Sequence, residues 1–331
     1  MTILNTISRV TITHAPTALE YMPQMSALLN RNLYVKRDDC TGLAGGGNKT
    51  RKLEYLVADA LANNADTLVT VGGIQSNHAR QTAAAAAKFG LNCELVLEDV
   101  QGTPKTDYYK NGNVLLNHLL GANIHTVPDD LKSIDYTKAL MSELSEQGKT
   151  PYLIPVGGSN EIGSLGYVQC AGEIITQIQT QSITLDHIVL ASGSAGTQAG
   201  LLAGLILADI DIPVLGICVS RSASEQVTLV TELLEKTLTL LGLDKNLAKK
   251  RVFANGDYYG KGYGIPNKEM IEAVNLCAQN EGLILDPVYT GKGMAGLIDL
   301  CRQNKFMQDS NILFIHTGGS QGVFAYQETF A

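Results

Sequence analysis

The strongest constraint on the fold is a regular alternation of short apolar segments with longer stretches of helical periodicity. The segments at 67–71, 93–97 and 188–191 have the length and composition of buried strands. Between them, apolar residues recur every three or four positions, as on the inner face of a helix. Strands separated by helices form βαβ units, which build parallel sheets covered by helices. The sequence therefore predicts an α/β fold with mostly parallel sheets flanked by helices.

Glycine-rich polar segments directly follow four of the predicted strands, at 72–78, 157–160, 192–197 and 317–320. In an open α/β sheet, ligands bind beyond the carboxyl ends of the strands. The four loops therefore predict one ligand site formed from much of the sheet. The loop at 192–197 precedes a predicted helix, and its small residues leave backbone N–H groups accessible, which favours a phosphate.

The candidate reactive residue is a lysine at the junction of a glycine run and a helix. Glycines at 45–47 and Asn48 precede Lys49, and a helical pattern begins at once. The positive potential of a helix start, together with burial, lowers the pKa of a lysine. A neutral amine is what Schiff-base chemistry with an aldehyde requires. An ordinary glycine loop with a solvent-facing lysine is the alternative. A P-loop is excluded because Asn48 separates the glycines from Lys49.

Composition and motif spacing argue against several other classes. A net charge of −7 argues against a nucleic-acid partner, and no apolar stretch reaches the roughly 18–20 residues that span a bilayer. The histidines lack the spacing of a metal site, and six scattered cysteines are typical of reduced thiols. A Gly-x-Gly-x-x-Gly match at 291–296 is interpreted as coincidental, because Asp286 and Pro287 interrupt the turn. We expect a cytoplasmic protein that needs no metal and binds neither nucleic acid nor membrane.

A phosphate loop, a lysine beside glycines and a serine-asparagine turn together suggest pyridoxal 5′-phosphate as the cofactor. Five segments carry a family resemblance, at 46–54, 75–83, 263–267, 285–292 and 316–319. They resemble the ACC deaminase/D-cysteine desulfhydrase family, which has the tryptophan-synthase-like fold type II of pyridoxal-phosphate enzymes. The resemblance extends from about Thr17 to Tyr326. It implies a two-domain protein with the cofactor in the interdomain cleft, and a homodimer.

The resemblance also implies roles for individual residues. Lys49 would hold the cofactor covalently and exchange the proton at Cα, and Ser76 would bind the substrate carboxylate or act on Cα. Asn77 would hydrogen-bond the cofactor's 3-oxygen. Either Ser76 or Asn77 could instead be a helix N-cap. Tyr289 would stack near the ring, and Tyr263 would face the substrate.

The remaining predicted site residues fall into two groups. The phosphate would contact Gly193, Ser194, Ala195, Gly196 and Thr197, with the loop at 157–159 as the alternative location. The substrate pocket would also include His78 and Gly158. Asp38 and Asp39 are interpreted as partners in structural salt bridges.

Two threonines favour elimination over deamination of ACC. In ACC deaminases, glutamate occupies the position of Thr290 and leucine that of Thr317. A carboxylate at the pyridine nitrogen supports a strong electron sink, whereas a neutral hydroxyl supports a weaker one. The weaker sink suffices when removal of the Cα proton is followed by loss of thiolate. The resemblance therefore favours conversion of D-cysteine to pyruvate, ammonia and hydrogen sulfide.

Alternative activities stay open at this point. L-cysteate sulfo-lyases of the same family release sulfite and resemble the segments 37–43 and 111–116, whereas 219–222 and 290–292 are closer to the desulfhydrases. A sulfonate calls for an added cation in the pocket, and the sequence does not identify one. ACC deaminase is the less favoured alternative. A protein that binds the cofactor without turnover is disfavoured, because binding alone needs no acid/base set.

The predicted domain division follows from the long sequence separation between Lys49 and the phosphate loop, which have to meet across a cleft. The chain of 331 residues is long enough for two domains. We predict a small inserted α/β domain at 51–160. A large cofactor-binding domain would comprise 1–50 and 161–331.

Overall fold

The computed structural model describes residue 4 and residues 6–100, 105–128 and 131–330, in which ten strands form two separate sheets. The strands in chain order are β1 (Leu19–Tyr21), β2 (Asn32–Lys36), β3 (Thr67–Gly73), β4 (Asn92–Glu98), β5 (Asn123–Thr126), β6 (Pro151–Ile154), β7 (His187–Ser192), β8 (Val214–Cys218), β9 (Phe253–Asn255) and β10 (Asn311–Ile315). The helices are α1 (Pro23–Leu29), α2 (Lys49–Ala62), α3 (Asn77–Phe89), α4 (Thr106–Lys110), α5 (Asn113–Leu119), α6 (Ser133–Glu146), α7 (Glu161–Thr180), α8 (Gly196–Leu207), α9 (Ala223–Leu240), α10 (Lys268–Glu281), α11 (Thr290–Arg302) and α12 (Gln327–Phe330).

The larger sheet has the strand order β1-β2-β10-β7-β8-β9. Its strands are parallel except that β1 pairs antiparallel with β2. Helices α7, α8 and α9 contribute to the apolar core on one face, and α1, α10 and α11 to that on the other. Successive residues of a strand point to opposite faces, so Leu313 joins the first core and Ile312 the second. The short strands β1, β2 and β9 lack the apolar run of a buried strand, and the sequence pattern did not predict them.

The smaller sheet has the order β5-β4-β3-β6 and is parallel throughout. Residues of α2, α3 and α5 pack against one face, and α6 packs against the other. Strand β3 alternates between them, with Leu68 on the first side and Val69 on the second. All four strands fall within residues 67–154. Residues 101–104 and 129–130 of the predicted small domain, and 1–3, 5 and 331 of the large one, lie outside the described residues.

The glycine match at 291–296 lies inside α11 and not in a strand-to-helix turn. A Cβ atom on Gly293 would meet the backbone nitrogen of Ala191 at 3.1 Å, which shows that this helix packs closely on β7. The match therefore reflects helix packing, and its interpretation as coincidental is confirmed.

No described helix combines the length and the apolar character that crossing a membrane requires. Across the described ranges, no three His, Cys, Asp or Glu side chains cluster as potential metal ligands. The six cysteines are free thiols; Cys40 is exposed and the other five are buried.

Candidate active site

Two adjoining cavities lie at the carboxyl ends of strands from both sheets. The inner cavity spans about 430 Å³, part of which is open to solvent. Its lining residues are Asn48, Lys49, Asn77, Ala191, Ser192, Gly193, Ser194, Ala195, Thr197, Gln198, Tyr289 and Thr317. The outer cleft, of about 1260 Å³, is open to solvent and contains residues that follow β3, β4, β6, β7 and β8. Lys49, Gly193, Ser194 and Tyr289 line both. All four glycine-rich loops contribute to these two cavities.

Lys49 is the first residue of α2 and is 9% exposed. Burial lowers the pKa of its ammonium group from 10.5 to about 8. The approach to the helix depends on Gly46, whose φ is +77° and whose Cβ, if present, would lie 1.8 Å from the backbone oxygen of Asp39. Asn48 ties the junction to two other loops, because its Nδ2 donates to Thr197 Oγ1 at 2.9 Å and its backbone N–H donates to Thr317 O at 3.0 Å.

A second lysine, Lys52, lies one helical turn from Lys49 and is fully buried. Its Nζ donates to Gly157 O and to Ser159 Oγ, both at 3.0 Å. Burial, followed by the proximity of Lys49, holds its pKa well below the ordinary value. Neither lysine forms a salt bridge with a carboxylate of the described residues. Two buried amines without an acid partner call for an anionic ligand.

The two candidate phosphate loops touch each other. Ser159 Oγ donates to Ser194 Oγ at 2.8 Å and accepts from the backbone N–H of Gly196 at 3.2 Å. Ala195 has a positive φ of +73° immediately before α8 begins, a backbone conformation that costs energy for a residue with a Cβ. Gly193, Ser194, Ala195 and Thr197 line the inner cavity, whereas Gly196 directs its N–H towards Ser159 and Ser194. The start of α8 and Lys52 thus meet where a phosphate would be bound.

The amide of Asn77 is oriented by its neighbours. Its Oδ1 accepts from Arg80 Nη1 at 3.2 Å and from Asn113 Nδ2 at 2.9 Å. Because arginine can only donate, the atom facing Arg80 has to be the oxygen, and the NH2 group takes the other side. This NH2 group has no acceptor among the described residues, and Asn77 lines the inner cavity. The side chain is therefore preset to donate to a ligand oxygen.

Ser76 is the N-cap of α3, and its Oγ accepts from the backbone N–H of Ala79 at 3.1 Å. Asn77 follows as the first helical residue, so the capping role belongs to Ser76. The cap uses the hydroxyl oxygen as an acceptor and leaves the proton of that hydroxyl free to donate. Ser76 also lines the outer cleft, so capping and ligand binding are compatible.

Two tyrosines form a hydrogen-bonded pair in the cleft. The hydroxyl oxygens of Tyr263 and Tyr289 are 2.6 Å apart, and their rings meet edge to face at 5.7 Å. Burial raises the pKa of both phenols, which therefore keep their protons at neutral pH. One proton forms the bond between the two oxygens, and the other is free to be donated.

The two threonines predicted at the pyridine nitrogen are placed differently. Thr317 lines the inner cavity. Thr290 is fully buried, its hydroxyl donates to Asp286 Oδ1 at 2.6 Å, and it is not among the lining residues. Asp286 also accepts the backbone N–H of Thr290 at 2.7 Å, which stabilises the start of α11. A contact of Thr290 with the cofactor stays a prediction, and the structure gives its hydroxyl a partner within the protein.

His78 and Gly158 complete the predicted pocket residues. His78 lines the cleft, and its Nε2 lies 2.8 Å from Thr70 Oγ1. Burial, followed by the nearby lysines, holds the pKa of its imidazole well below the usual value, so the ring is neutral. Gly158 lies behind the wall against Leu56 and Lys52, and its neighbour Gly157 lines the cleft instead.

Three site residues had not been picked out from the sequence. Lys52 could have been found, because Lys-x-x-Lys spacing places two side chains on one helix face. Asn48 adjoins the lysine, but its contacts reach loops far away in the chain. Arg221 follows β8 and lines the outer cleft; it lies in the segment 219–222 that resembles the desulfhydrases, but that resemblance assigned it no role.

These residues fit pyridoxal 5′-phosphate. The group carries a phosphate for Lys52 and the start of α8, a hydroxyl-derived oxygen for Asn77, and an aldehyde for the amine of Lys49. The ring nitrogen would be received by a neutral hydroxyl, that of Thr317. This fit rests on the buried amines of Lys49 and Lys52, which have no carboxylate partner among the described residues, and on the Asn77 amide, whose NH2 group is oriented towards a ligand.

Known proteins resemble this chain over almost its whole length. A family model described as pyridoxal-phosphate dependent enzyme matches residues 10–318. A D-cysteine desulfhydrase of Salmonella typhi is 49% identical over 324 residues, covering 98% of this chain and 97% of the relative. A D-cysteine desulfhydrase of Klebsiella pneumoniae (strain 342) is 47% identical over 323 residues, with the same coverage of 98% and 97%.

Solved structures agree. The crystal structure of an ACC deaminase homologue superposes with a TM-score of 0.90 at 39% identity, covering 99% of this chain and 97% of the other. The diaminopropionate ammonia lyase of Escherichia coli has a TM-score of 0.69 at 17% identity, covering 99% of this chain and 89% of the other, and supports the fold alone. The resemblance, the fold-type II prediction and the predicted cofactor are confirmed. The chain belongs to the pyridoxal-phosphate dependent enzyme family.

Proposed function

We propose that this enzyme converts D-cysteine and water to pyruvate, ammonia and hydrogen sulfide by α,β-elimination, as a carbon–sulfur lyase. The observation that carries the proposal is the shared cleft of Lys49, Ser76 and the Tyr263–Tyr289 pair. It brings a buried amine, a carboxylate-binding helix start and a proton donor together. Two relatives named D-cysteine desulfhydrase, identical at 49% and 47% of aligned positions, support the choice of substrate.

Lys49 is the base in this proposal. Pyridoxal 5′-phosphate supplies electron withdrawal that acidifies the proton on the substrate's Cα when it is bound. A lysine with a pKa of about 8 is partly neutral near physiological pH and can accept that proton. Lys49 lines both cavities, which supports a position of its amine between the cofactor and the substrate.

Ser76 and the start of α3 bind the substrate carboxylate. The free proton of the Ser76 hydroxyl and the positive end of the 13-residue helix both favour an anion. Tyr289 or Tyr263 then gives its free proton to the departing sulfur. Raised phenol pKa values keep that proton available across the neutral range.

Thr317 supports elimination over opening of the cyclopropane ring of ACC. It is the residue that lines the inner cavity at the position where ACC deaminases have leucine, and the carboxylate of Asp286 is occupied at the start of α11. A site without a carboxylate for the ring nitrogen has a weak electron sink, which thiolate loss tolerates.

The test is a side-by-side assay of D-cysteine, L-cysteine, L-cysteate and ACC with the purified holoenzyme. We expect pyruvate and sulfide in equal amounts from D-cysteine and no 2-oxobutanoate from ACC. L-Cysteine distinguishes the preferred enantiomer. Absence of sulfide release from D-cysteine, or efficient deamination of ACC, would overturn the proposal.

The domain division at 51–160, the homodimer and the cytoplasmic location belong to the same proposal. The separate sheets support the division, and the free thiols support a reducing compartment. The homodimer rests on the family resemblance alone. Light scattering of the purified holoenzyme tests it, and a monomer mass would contradict it.

A further inference from the structure

Arg221 is the only arginine that lines the outer cleft among the described residues. Its Nη1 donates to Gly193 O at 3.1 Å and to Gln226 Oε1 at 3.3 Å. Gln226 is fully buried and donates in turn to Ser192 Oγ at 2.8 Å. Two hydrogen bonds to groups at the end of β7 and in α9 therefore hold the guanidinium at the cleft wall.

No carboxylate among the described residues forms a salt bridge with Arg221. Its Nε and Nη2 groups have no hydrogen-bond acceptor among those residues. Glu225, four positions further along the chain, accepts from Ser222 N at 3.0 Å and Ser222 Oγ at 2.6 Å in the cap of α9. Because a guanidinium group keeps its positive charge in proteins, its free N–H donors favour an anionic ligand.

The bound cofactor and substrate would bring three anionic groups, namely the phosphate, the substrate carboxylate and a charged β-substituent. The proposed function gives partners to the first two. The phosphate site lies in the inner cavity, which Arg221 does not line. The substrate carboxylate belongs to Ser76 at the end of β3, in the other sheet from β8. The group left for Arg221 is the substituent on the β-carbon.

We infer that Arg221 is a specificity-determining residue that binds the β-substituent of the substrate when that substituent is negatively charged, as thiolate, sulfinate or sulfonate. The inference rests on the proposed elimination reaction and supplies the added cation that a sulfonate requires. Glu98, on the opposite sheet, is the single carboxylate among the described lining residues and opposes the same anions. Removing it with E98Q should strengthen their binding.

The chemistry balances without an oxidant or reductant. With cysteate, Cα loses its proton to Lys49, the Cβ–S bond breaks, and its electron pair leaves on sulfur as sulfite. One water then converts the resulting enamine to pyruvate and ammonia. The guanidinium contacts sulfur-bound oxygens before and after cleavage, and charge-assisted hydrogen bonds of this kind are the strong ones.

The experiment compares R221Q, R221K and wild type, with R251Q as a matched control. Arg251 also donates to a backbone oxygen, that of Ile210 at 3.3 Å, but it does not line the cleft. The probes are D- and L-cysteate for the charged substituent and β-chloro-D-alanine for the uncharged one. Binding is read from the absorbance change of the bound cofactor, and turnover from pyruvate release.

We expect R221Q to weaken cysteate binding about tenfold, the worth of one charge-assisted contact. R221K should keep most of the affinity, and elimination from β-chloro-D-alanine should stay within about twofold for every variant. Equal losses with charged and uncharged substrates would show a structural role and overturn the inference. So would unchanged cysteate binding in R221Q, or no binding of either enantiomer to wild type at millimolar concentration. If wild type releases no sulfide from D-cysteine, the proposed function fails, and the cysteate binding ratio still decides the role of Arg221.

Discussion

Three buried cationic side chains, Lys49, Arg51 and Lys52, lie in the first turn of α2, and among the described residues only Arg51 has carboxylate partners. Arg51 donates to Asp38 Oδ2 at 2.8 Å and to Glu173 Oε1 at 2.8 Å. Lys49 and Lys52, on either side of it in sequence, form no salt bridge with any described residue. The same helix turn therefore carries one cation that carboxylates neutralise, Arg51, and two lysines that no described carboxylate neutralises.

The group of charges around Arg51 is complete within the protein. Asp38 also accepts from Thr17 Oγ1 at 2.8 Å, and Lys36 donates to Glu173 Oε2 at 3.1 Å. Burial pushes the pKa of Asp38 up, but the attraction of Arg51 and Lys36 outweighs it and holds the pKa below the ordinary value. This cluster links β2, α2 and α7. The salt bridge predicted for Asp38 is confirmed, as is the pairing of Asp39 with Arg37 at 2.8 Å.

The difference separates structural charges from ligand-binding ones. A buried cation with a carboxylate needs nothing further, whereas a buried amine without one is pushed towards its neutral form until an anion arrives. Lys49 lines both cavities, Lys52 lies against the loop at 157–159, and Arg51 faces α7. Substitution of Lys49 or Lys52 should therefore reduce turnover or cofactor binding without loss of stability, whereas substitution of Asp38 should destabilise the fold.

The largest expected effect is on catalysis, from Lys49→Ala. Loss of the covalent link and of the base should reduce turnover at least about a thousandfold. The absorbance of bound cofactor in the visible range should also disappear, while the midpoint of thermal unfolding of the cofactor-free protein stays at or above that of wild type. Pyruvate release measures turnover, absorbance spectra measure the bound cofactor, and thermal unfolding measures stability. A variant that keeps a sizeable fraction of turnover would show that another residue is the base.

In the group around Arg51, Asp38→Asn should destabilise the fold by about 3–5 kcal/mol, because it leaves Arg51 buried without its partner. Denaturant unfolding of the cofactor-free protein measures the change in free energy. The control is Asp135→Asn, which removes an exposed partner of Lys138 at 3.9 Å and should cost less than about 1 kcal/mol. Equal effects for the two variants would mean that the cluster is not structural.

Lys52→Met should weaken cofactor binding by about ten- to a hundredfold through loss of a charge-assisted contact to phosphate. The flexible apolar side chain fills similar space, so the cofactor-free protein should be at least as stable as wild type. Equilibrium titration with pyridoxal 5′-phosphate is the measurement, and pyridoxal without phosphate is the control ligand. A similar loss of affinity for both ligands would place Lys52 away from the phosphate.

The smallest effect is a pH dependence of cofactor uptake. The pKa of Lys49, about 8 and below the ordinary 10.5, means that its amine is mostly charged at pH 7 and mostly neutral above pH 8. The rate at which the cofactor-free enzyme takes up pyridoxal 5′-phosphate should rise about fivefold between about pH 7 and 8, then level off by about pH 9. Stopped-flow absorbance follows it. A rate still climbing at pH 10 would indicate an ordinary lysine.

Local signals predicted much of the fold. Local signals mark both ends of α3, because Ser76 caps its start and Gly90, with a φ of +69°, ends it in the left-handed conformation. Strands such as β3 and β7 were predicted because buried parallel strands need apolar residues on both faces. In contrast, β1 and β2 are edge-side strands of mixed composition. Among the described strands, β1 pairs only with β2, and β2 joins the sheet through β10, which lies far away in the chain.

The sequence by itself determined the α/β class and the family, and it predicted a reactive lysine and a phosphate loop, because each depends on residues close together in the chain or on long shared motifs. Only the tertiary structure decided which cations remain unpaired, since Arg51 meets Glu173 and Lys52 meets Gly157 across more than a hundred positions. It also decided that Thr317 lines the inner cavity while Thr290 donates a hydrogen bond to Asp286, and that Arg221 lines the outer cleft. Charge compensation and cavity lining are properties of contacts between distant segments, and no local pattern records them.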